Sequence, residues 1–313
     1  MRRLLVIAAL VVGALGSEAQ QLPQYTHFVT NYFQYNPAVA GSAACLDLKI
    51  GYRKQWMNVS GAPSTAFANA HGNFGKKKRK GYNFHGIGGI VETDNAGRLS
   101  YTSVHLAYAY HMRISRKYML SAGLAAGIYQ YRFDFAEVNV VDDFNTDDAL
   151  VNAMAQQFIY PQINLGFWLY RDDRFFGFSM RNVVANKIDG LGDESKTNTH
   201  FEFTAGKIIE LNEDFKFKPA AQVKYVRASK MALDVQAMID FREKFQIGVG
   251  FRSGNGISAL VQIDMFRYIT VGYAYDLTLS KMRYNGMHTH EIVLGISACP
   301  DGDGNKIPCA AYN

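Results

Sequence analysis

From residue 46 to residue 297 the chain alternates side chains with a period of two, and the face opposite the apolar one is polar or very small. Thr102, Val104, Leu106, Tyr108 and Tyr110 stand against Ser103, His105, Ala107, Ala109 and His111. Leu120, Ala122, Leu124, Ala126 and Ile128 stand against Ser121, Gly123, Ala125 and Gly127. Ile163, Leu165, Phe167 and Leu169 oppose Gln162, Asn164 and Gly166, and Ile257, Ala259, Val261 and Ile263 oppose Ser258, Gln262 and Asp264. Ile292, Leu294 and Ile296 oppose Glu291, Val293 and Gly295. Such alternation specifies strands with two unlike faces. A soluble sandwich turns the apolar face inward, whereas a membrane barrel turns it toward lipid and keeps polar or small residues in the lumen. Several runs reach the about 9–11 residues that a membrane strand needs, and tyrosines close some of them.

Fourteen strands are predicted, at roughly 46–57, 64–74, 82–92, 99–111, 118–133, 158–170, 174–185, 198–210, 214–226, 230–241, 243–252, 256–264, 266–276 and 287–297. An even number allows a closed antiparallel barrel with both termini on one side. The odd connections include 58–63, 93–98, 134–157, 186–197 and 277–286. The even ones are 75–81, 112–117, 171–173, 211–213 and junctions at Arg242 and Met265. Long connections gather in the odd set, as expected for external loops above short periplasmic turns. The expected fold is therefore all-β, a transmembrane antiparallel barrel of about 14 strands with periplasmic N- and C-termini.

The first residues agree with export. Arg2 and Arg3 precede the apolar run Leu4–Leu15, and Ser17 and Ala19 are small residues before Gln20. This is the pattern of a Sec signal peptide cleaved near Ala19/Gln20. The expected organisation is a signal peptide at 1–19 and a periplasmic segment or plug at 20–45. The barrel follows at 46–297 and a periplasmic tail at 298–313. No run of eighteen apolar residues occurs, so no helix is expected to span a bilayer. Removing residues 1–19 takes Arg2, Arg3 and Glu18 from 33 basic and 27 acidic residues and leaves a net charge of +5. That balance gives no sign of nucleic-acid binding. Lys76, Lys77, Lys78, Arg79 and Lys80 form the longest basic run and are a candidate partner contact or a solvated turn.

Chemistry is sparse. No G-x-S-x-G element is present, and the eight histidines are scattered. His288 and His290 share one strand face, but Glu291 points the other way, so no metal site and no cofactor are expected. Gly86-Ile87-Gly88-Gly89 is followed by no helix, and its glycines are expected to let strands pack closely. In the tail, Cys299 and Cys309 enclose Asp301 and Asp303. A Cys299–Cys309 disulfide is the simplest pairing and Cys45 the alternative partner. Asp301 and Asp303 begin a calcium-like spacing whose later acids are absent, which leaves them as candidate periplasmic contacts.

Tyr35-Asn36-Pro37-Ala38-Val39-Ala40-Gly41 follows a stretch rich in Gln, Tyr and Phe. Further on come Tyr52-Arg53-Lys54-Gln55-Trp56, Gly61-Ala62-Pro63, Pro161 with Asn164 and Gly166, Gly177-Phe178-Ser179 with Asn182, Gly272-Tyr273-Ala274-Tyr275-Asp276 and His290-Glu291-Ile292. With Asn36, Pro37, Gly41, Tyr52, Arg53, Gln55 and Trp56 as its marker residues, the chain resembles the PorP/SprF family of the Bacteroidota type IX secretion system. The resemblance implies a non-enzymatic outer-membrane barrel with no catalytic residues. It also implies partners: the PorK/PorN ring, a PorE-like peptidoglycan-binding protein, cargo C-terminal domains and outer-membrane lipid. The branch it favours is the PorP-like core role. The alternatives are an SprF-like barrel serving a large gliding adhesin, and a general diffusion porin. The cysteine-bearing tail beyond the last strand departs from barrels that end on an aromatic residue.

Overall fold

The computed structural model describes residues 23–43, 46–74, 83–133, 156–187, 196–227, 229–254, 256–265, 268–279 and 288–298. The signal peptide, Cys45, Lys76–Lys80, loop 134–155 and the tail with Cys299, Asp301, Asp303 and Cys309 lie outside the described residues.

Fifteen strand segments form one sheet: β1 (Leu46–Lys54), β2 (Ser64–Phe74), β3 (Phe84–Ala96), β4 (Leu99–Arg113), β5 (Met119–Phe133), β6 (Gln156–Tyr170), β7 (Arg174–Arg181), β8 (His200–Lys207), β9 (Ile209–Glu210), β10 (Phe215–Val226), β11 (Ala232–Phe241), β12 (Phe245–Arg252), β13 (Gly256–Met265), β14 (Ile269–Thr278) and β15 (His288–Ala298). β8 and β9 are two pieces of one stave, both paired to β10 and interrupted at Ile208, so the barrel has fourteen staves. Every neighbouring pair is antiparallel. The sheet closes on itself through β1–β15, with Leu46 opposite Ala298 and Arg53 opposite Glu291. Closure removes the free edges that an open sheet of this size would expose.

The wall is inverted relative to a soluble protein. Leu106 is 75% exposed, whereas its neighbours His105 and Ala107 are 3% and 5% exposed. Val249 at 66% and Ile159 at 60% repeat the pattern on other staves. Inward positions carry Asp47, Arg53, Glu92, Arg181, Glu202, Asp234, Asp240 and Glu291, all buried. Apolar groups outside and ions inside are stable only if hydrocarbon surrounds the wall.

The barrel has two unlike rims. One carries the connections 55–63, 97–98, 182–199, 227–231, 253–255 and 279–287, and is called here the long-loop rim. The other carries 114–118, 171–173, 211–214 and 242–244 together with the start of β1 and the end of β15, and is the short-turn rim. Some boundaries differ from the sequence expectation for local reasons. Connection 93–98 shrinks to Gly97–Arg98, because β3 continues through Ala96 and Gly97 takes φ +60°. β7 stops at Arg181, because Asn182 adopts φ 56° and gives its N–H to Asn164 Oδ1 at 3.0 Å. The junction at Arg242 is a turn with φ 55° and 56° at Arg242 and Glu243, closed by the Lys244 N–H to Phe241 O at 3.1 Å. Positive φ at both central residues matches the twist of the flanking strands.

Residues 23–43 form no strand. They make three 3-10 turns, Phe28–Thr30, Tyr32–Gln34 and Pro37–Val39, inside the barrel. Phe28, Phe33, Ala38, Val39 and Ala40 are fully buried and join Trp168, Tyr170, Phe175 and Phe67 of the wall in one apolar cluster. Tyr25 meets Glu92 and Arg252, near the strand ends at the long-loop rim, whereas Ala40 and Gly41 meet His111, Gly86 and His71 toward the short-turn rim. The segment therefore runs along the lumen from one end toward the other before entering β1.

Candidate functional site in the barrel lumen

A lumen with this many inward charges needs counter-groups, since an unpaired buried ion is costly. The N-terminal segment supplies them. Glu291 on β15 accepts the Thr26 N–H at 2.6 Å and the His27 N–H at 2.8 Å. Arg53 on β1 pairs with Asp276 at 2.9 Å and Glu291 at 3.1 Å, and also donates to Thr26 Oγ1. Thr26 Oγ1 in turn donates to Asp276 at 2.7 Å, and Gln236 Nε2 donates to Thr26 O. The N–H, C=O and hydroxyl of one threonine are thus all held by four staves. Arg252 donates to Tyr25 O at 2.6 Å, and the Tyr25 hydroxyl donates to Glu92 at 2.6 Å. Gln34 donates to the same Glu92 oxygen at 2.7 Å. The His27 ring lies against Gly272, where a Cβ would crowd it.

Lower in the lumen the contacts become steric. Asn36 caps the third 3-10 turn by accepting the Ala38 N–H at 2.9 Å, and its Nδ2 donates to Phe167 O at 3.0 Å and Phe178 O at 3.2 Å on β6 and β7. Pro37 opens the turn, where its missing N–H costs nothing. Gly41 takes φ +76° and gives its N–H to His71 Nδ1 at 3.1 Å. His111 Nε2 donates to Ala40 O at 2.7 Å, which leaves Nδ1 to accept the Tyr170 hydroxyl at 2.9 Å.

The wall makes room with glycine. A Cβ on Gly86 would collide with the Ala40 carbonyl, one on Gly123 with the Ala38 amide, and one on Gly166 with the Asn36 side chain. A Cβ on Gly88 would strike Phe33. Gly86 and Gly88 therefore seat the segment, and Gly88 also lets β3 lie close against Ala70 and His71 of β2, the strand packing expected of this run. Gly123→Leu should leave a folded barrel, seen as retained heat-modifiable migration, while opening Tyr25–Tyr35 to chymotrypsin. Unchanged protection of those tyrosines would contradict the seating.

Residues 17–296 match the family described as type IX secretion system membrane protein PorP/SprF. The chain belongs to that family. Among solved structures, the CymD monoaromatic hydrocarbon channel aligns at TM-score 0.51 and 10% identity over 86% of this chain and 91% of that one. Pseudomonas putida TodX, a toluene transporter, aligns at TM-score 0.49 and 7% identity over 89% and 95%. At 10% identity the likeness to CymD concerns the barrel fold alone. No curated protein matches the chain. The membrane barrel of this PorP/SprF protein is thus established by family and by fold together.

The family's marker residues divide by position. Asn36, Pro37, Gly41 and Arg53 lie in the lumen, and Arg53 joins Asp276 and Glu291 from two other matching stretches around Thr26. Gly166 and Gly177 flank Asn36, so the later glycine motifs serve the earlier N-P-x-x-x-G element. Tyr52 faces outward, 52% exposed, and Gln55 and Trp56 lie in the loop beyond β1, with Trp56 at φ 47° and its N–H on Thr289 Oγ1 at 3.3 Å. Sequence reading missed Glu92, Arg181, Glu202 and Asp234 as lumen residues. Their signal was present: each is a charge at an inward position of an alternating strand. His288 and His290 stand on the outer face, bonded to the Tyr275 and Tyr273 hydroxyls at 2.5 and 2.7 Å. Among the described residues no group of three His, Cys, Asp or Glu could hold a metal ion.

Proposed function

We propose that this protein is a non-enzymatic outer-membrane component of type IX secretion, and that it couples periplasmic ring and peptidoglycan-binding components to the membrane. The observation that carries this reading is the lumen. Residues 23–43 fill it and bond to staves all round the wall, including β1, β2, β3, β4, β6, β7, β11, β12, β14 and β15. A filled barrel has little to offer a diffusing solute, which speaks against the porin alternative, and leaves the rims as working surfaces. The short-turn rim, with tight turns and the end of β15, is the periplasmic face in this reading, and the long-loop rim faces outward.

Affinity purification from envelopes in mild detergent tests it. PorK/PorN ring proteins or a PorE-like anchor should co-purify; their absence alongside a good yield of folded barrel would count against the coupling role. Orientation has its own check. Half-buried Gln24 lies beside the long-loop rim. With native cysteines changed to serine, Gln24→Cys should react with an impermeant maleimide on intact cells. Labelling only after envelope disruption would reverse the orientation.

A further inference from the structure

The outer wall at the short-turn ends of β3 and β4 breaks the lipid-facing pattern. Above it the outward positions Ile87, Val104 and Leu106 are exposed and apolar. At the strand ends the outward groups become His85, Tyr108 and Tyr110. His85 Nδ1 pairs with the Tyr108 hydroxyl at 2.7 Å, and its ring stacks on Phe74 at 5.3 Å. Asn83 donates to the Tyr110 hydroxyl at 2.8 Å and accepts the Arg113 N–H at 3.2 Å, joining this ring cluster to the next turn.

That turn, 114–118, is basic and stiff. The Arg113 guanidinium donates to Ser115 O at 2.9 Å and Arg116 O at 2.8 Å, and Ser115 Oγ accepts the Lys117 and Tyr118 N–H groups at 3.3 and 3.1 Å. Arg116 and Lys117 are exposed, and no acid occurs between Arg113 and Tyr118. The adjoining turn behaves differently: Arg171 and Arg174 are both paired to Asp173, at 2.5 and 2.9 Å. Ile114, 54% exposed, projects from the basic turn. At the other rim the Tyr–His pairs of β14 and β15 have, among the described residues, Lys54 in register with His290, and Lys54 donates to Ala62 O.

We propose that the wall formed by His85, Tyr110, Arg116 and Lys117 binds the phosphate of an anionic phospholipid headgroup in the adjacent leaflet. The rings face the bilayer laterally and Ile114 offers an apolar foot. Arg116 and Lys117 provide fixed positive charge at headgroup level. His85 and Tyr110 stand on the outward face of their strands, the face that hydrocarbon and headgroups cover, so lipid is the favoured ligand over an acidic polypeptide that would dock on the turn alone. The proposal rests on the orientation proposed above and not on the coupling role.

Native mass spectrometry of the full chain in neutral detergent, incubated with phosphatidylglycerol or phosphatidylcholine of equal chain length, tests it. Each basic side chain near an anionic surface is worth a factor of about five, so Arg116→Gln/Lys117→Gln should weaken phosphatidylglycerol retention about 25-fold. Lipid-free thermal stability should stay unchanged. Equal retention of the two lipids by the parent, or equal phosphatidylglycerol retention by parent and variant, would overturn it. So would a variant that keeps its lipid but loses co-purifying secretion proteins, which would make the turn a protein contact. Retention of inorganic phosphate by the parent and not by the variant would mark a free-anion site and also overturn the lipid assignment.

Discussion

Arg53→Met should destabilise the barrel by about 3–5 kcal/mol, the usual cost of stripping one partner from a buried ion cluster. Asp276 and Glu291 would be left around Thr26 without the guanidinium that bridges them. The loss is read as a lower unfolding midpoint in detergent and as chymotrypsin sensitivity of the N-terminal segment. Neutralising the acids as well, in Arg53→Met/Asp276→Asn/Glu291→Gln, should restore part of the stability, because the uncompensated charge is then gone. An unchanged midpoint in the single variant would mean that this cluster does not hold the segment.

Deleting residues 23–43 has the largest expected functional effect. Fourteen staves lie between eight-stranded barrels, which side chains fill, and sixteen-stranded porins, which hold a water channel. Here the wall's inward face is trimmed with glycine at 86, 88, 123 and 166 where the segment sits, so its removal leaves space that no wall side chain fills. The full chain in a planar bilayer should be electrically quiet, and the deletion variant should pass a large, steady current. A deletion variant as silent as its parent would show that something other than this segment closes the lumen.

Much of the wall was legible in the sequence because a period of two is written locally. β2 matches its expected range, 64–74, and β4, β5, β6 and β10 agree with theirs within two residues. Turn ends were harder. Arg242-Glu243 adopts left-handed backbone without the glycine or asparagine that advertises it, and Asn182 ends β7 through a contact with Asn164 on another stave. The break at Ile208 depends on its N–H reaching Asp173 O at 2.7 Å across the rim. The lumen site was only partly legible. Asn36, Pro37, Gly41 and Arg53 stood out through family likeness. The acids Glu92, Asp276 and Glu291, which hold Tyr25, Gln34, Thr26 and Arg53, lie up to 265 residues away from the groups they bind, a separation local patterning cannot bridge. The glycines were visible, but their purpose required knowing which backbone comes to rest against them.

We propose a closed barrel that works by contact at its short-turn rim. Lysine-directed cross-linking mass spectrometry on native envelopes tests it most directly, because Lys207 and Lys244 are exposed on that rim. Links from Lys207 and Lys244 to periplasmic type IX components are expected, with none from those components to Lys187 or Lys230 at the opposite rim. Partner links confined to the long-loop rim, or no partner links despite abundant cross-links within the barrel, would contradict it.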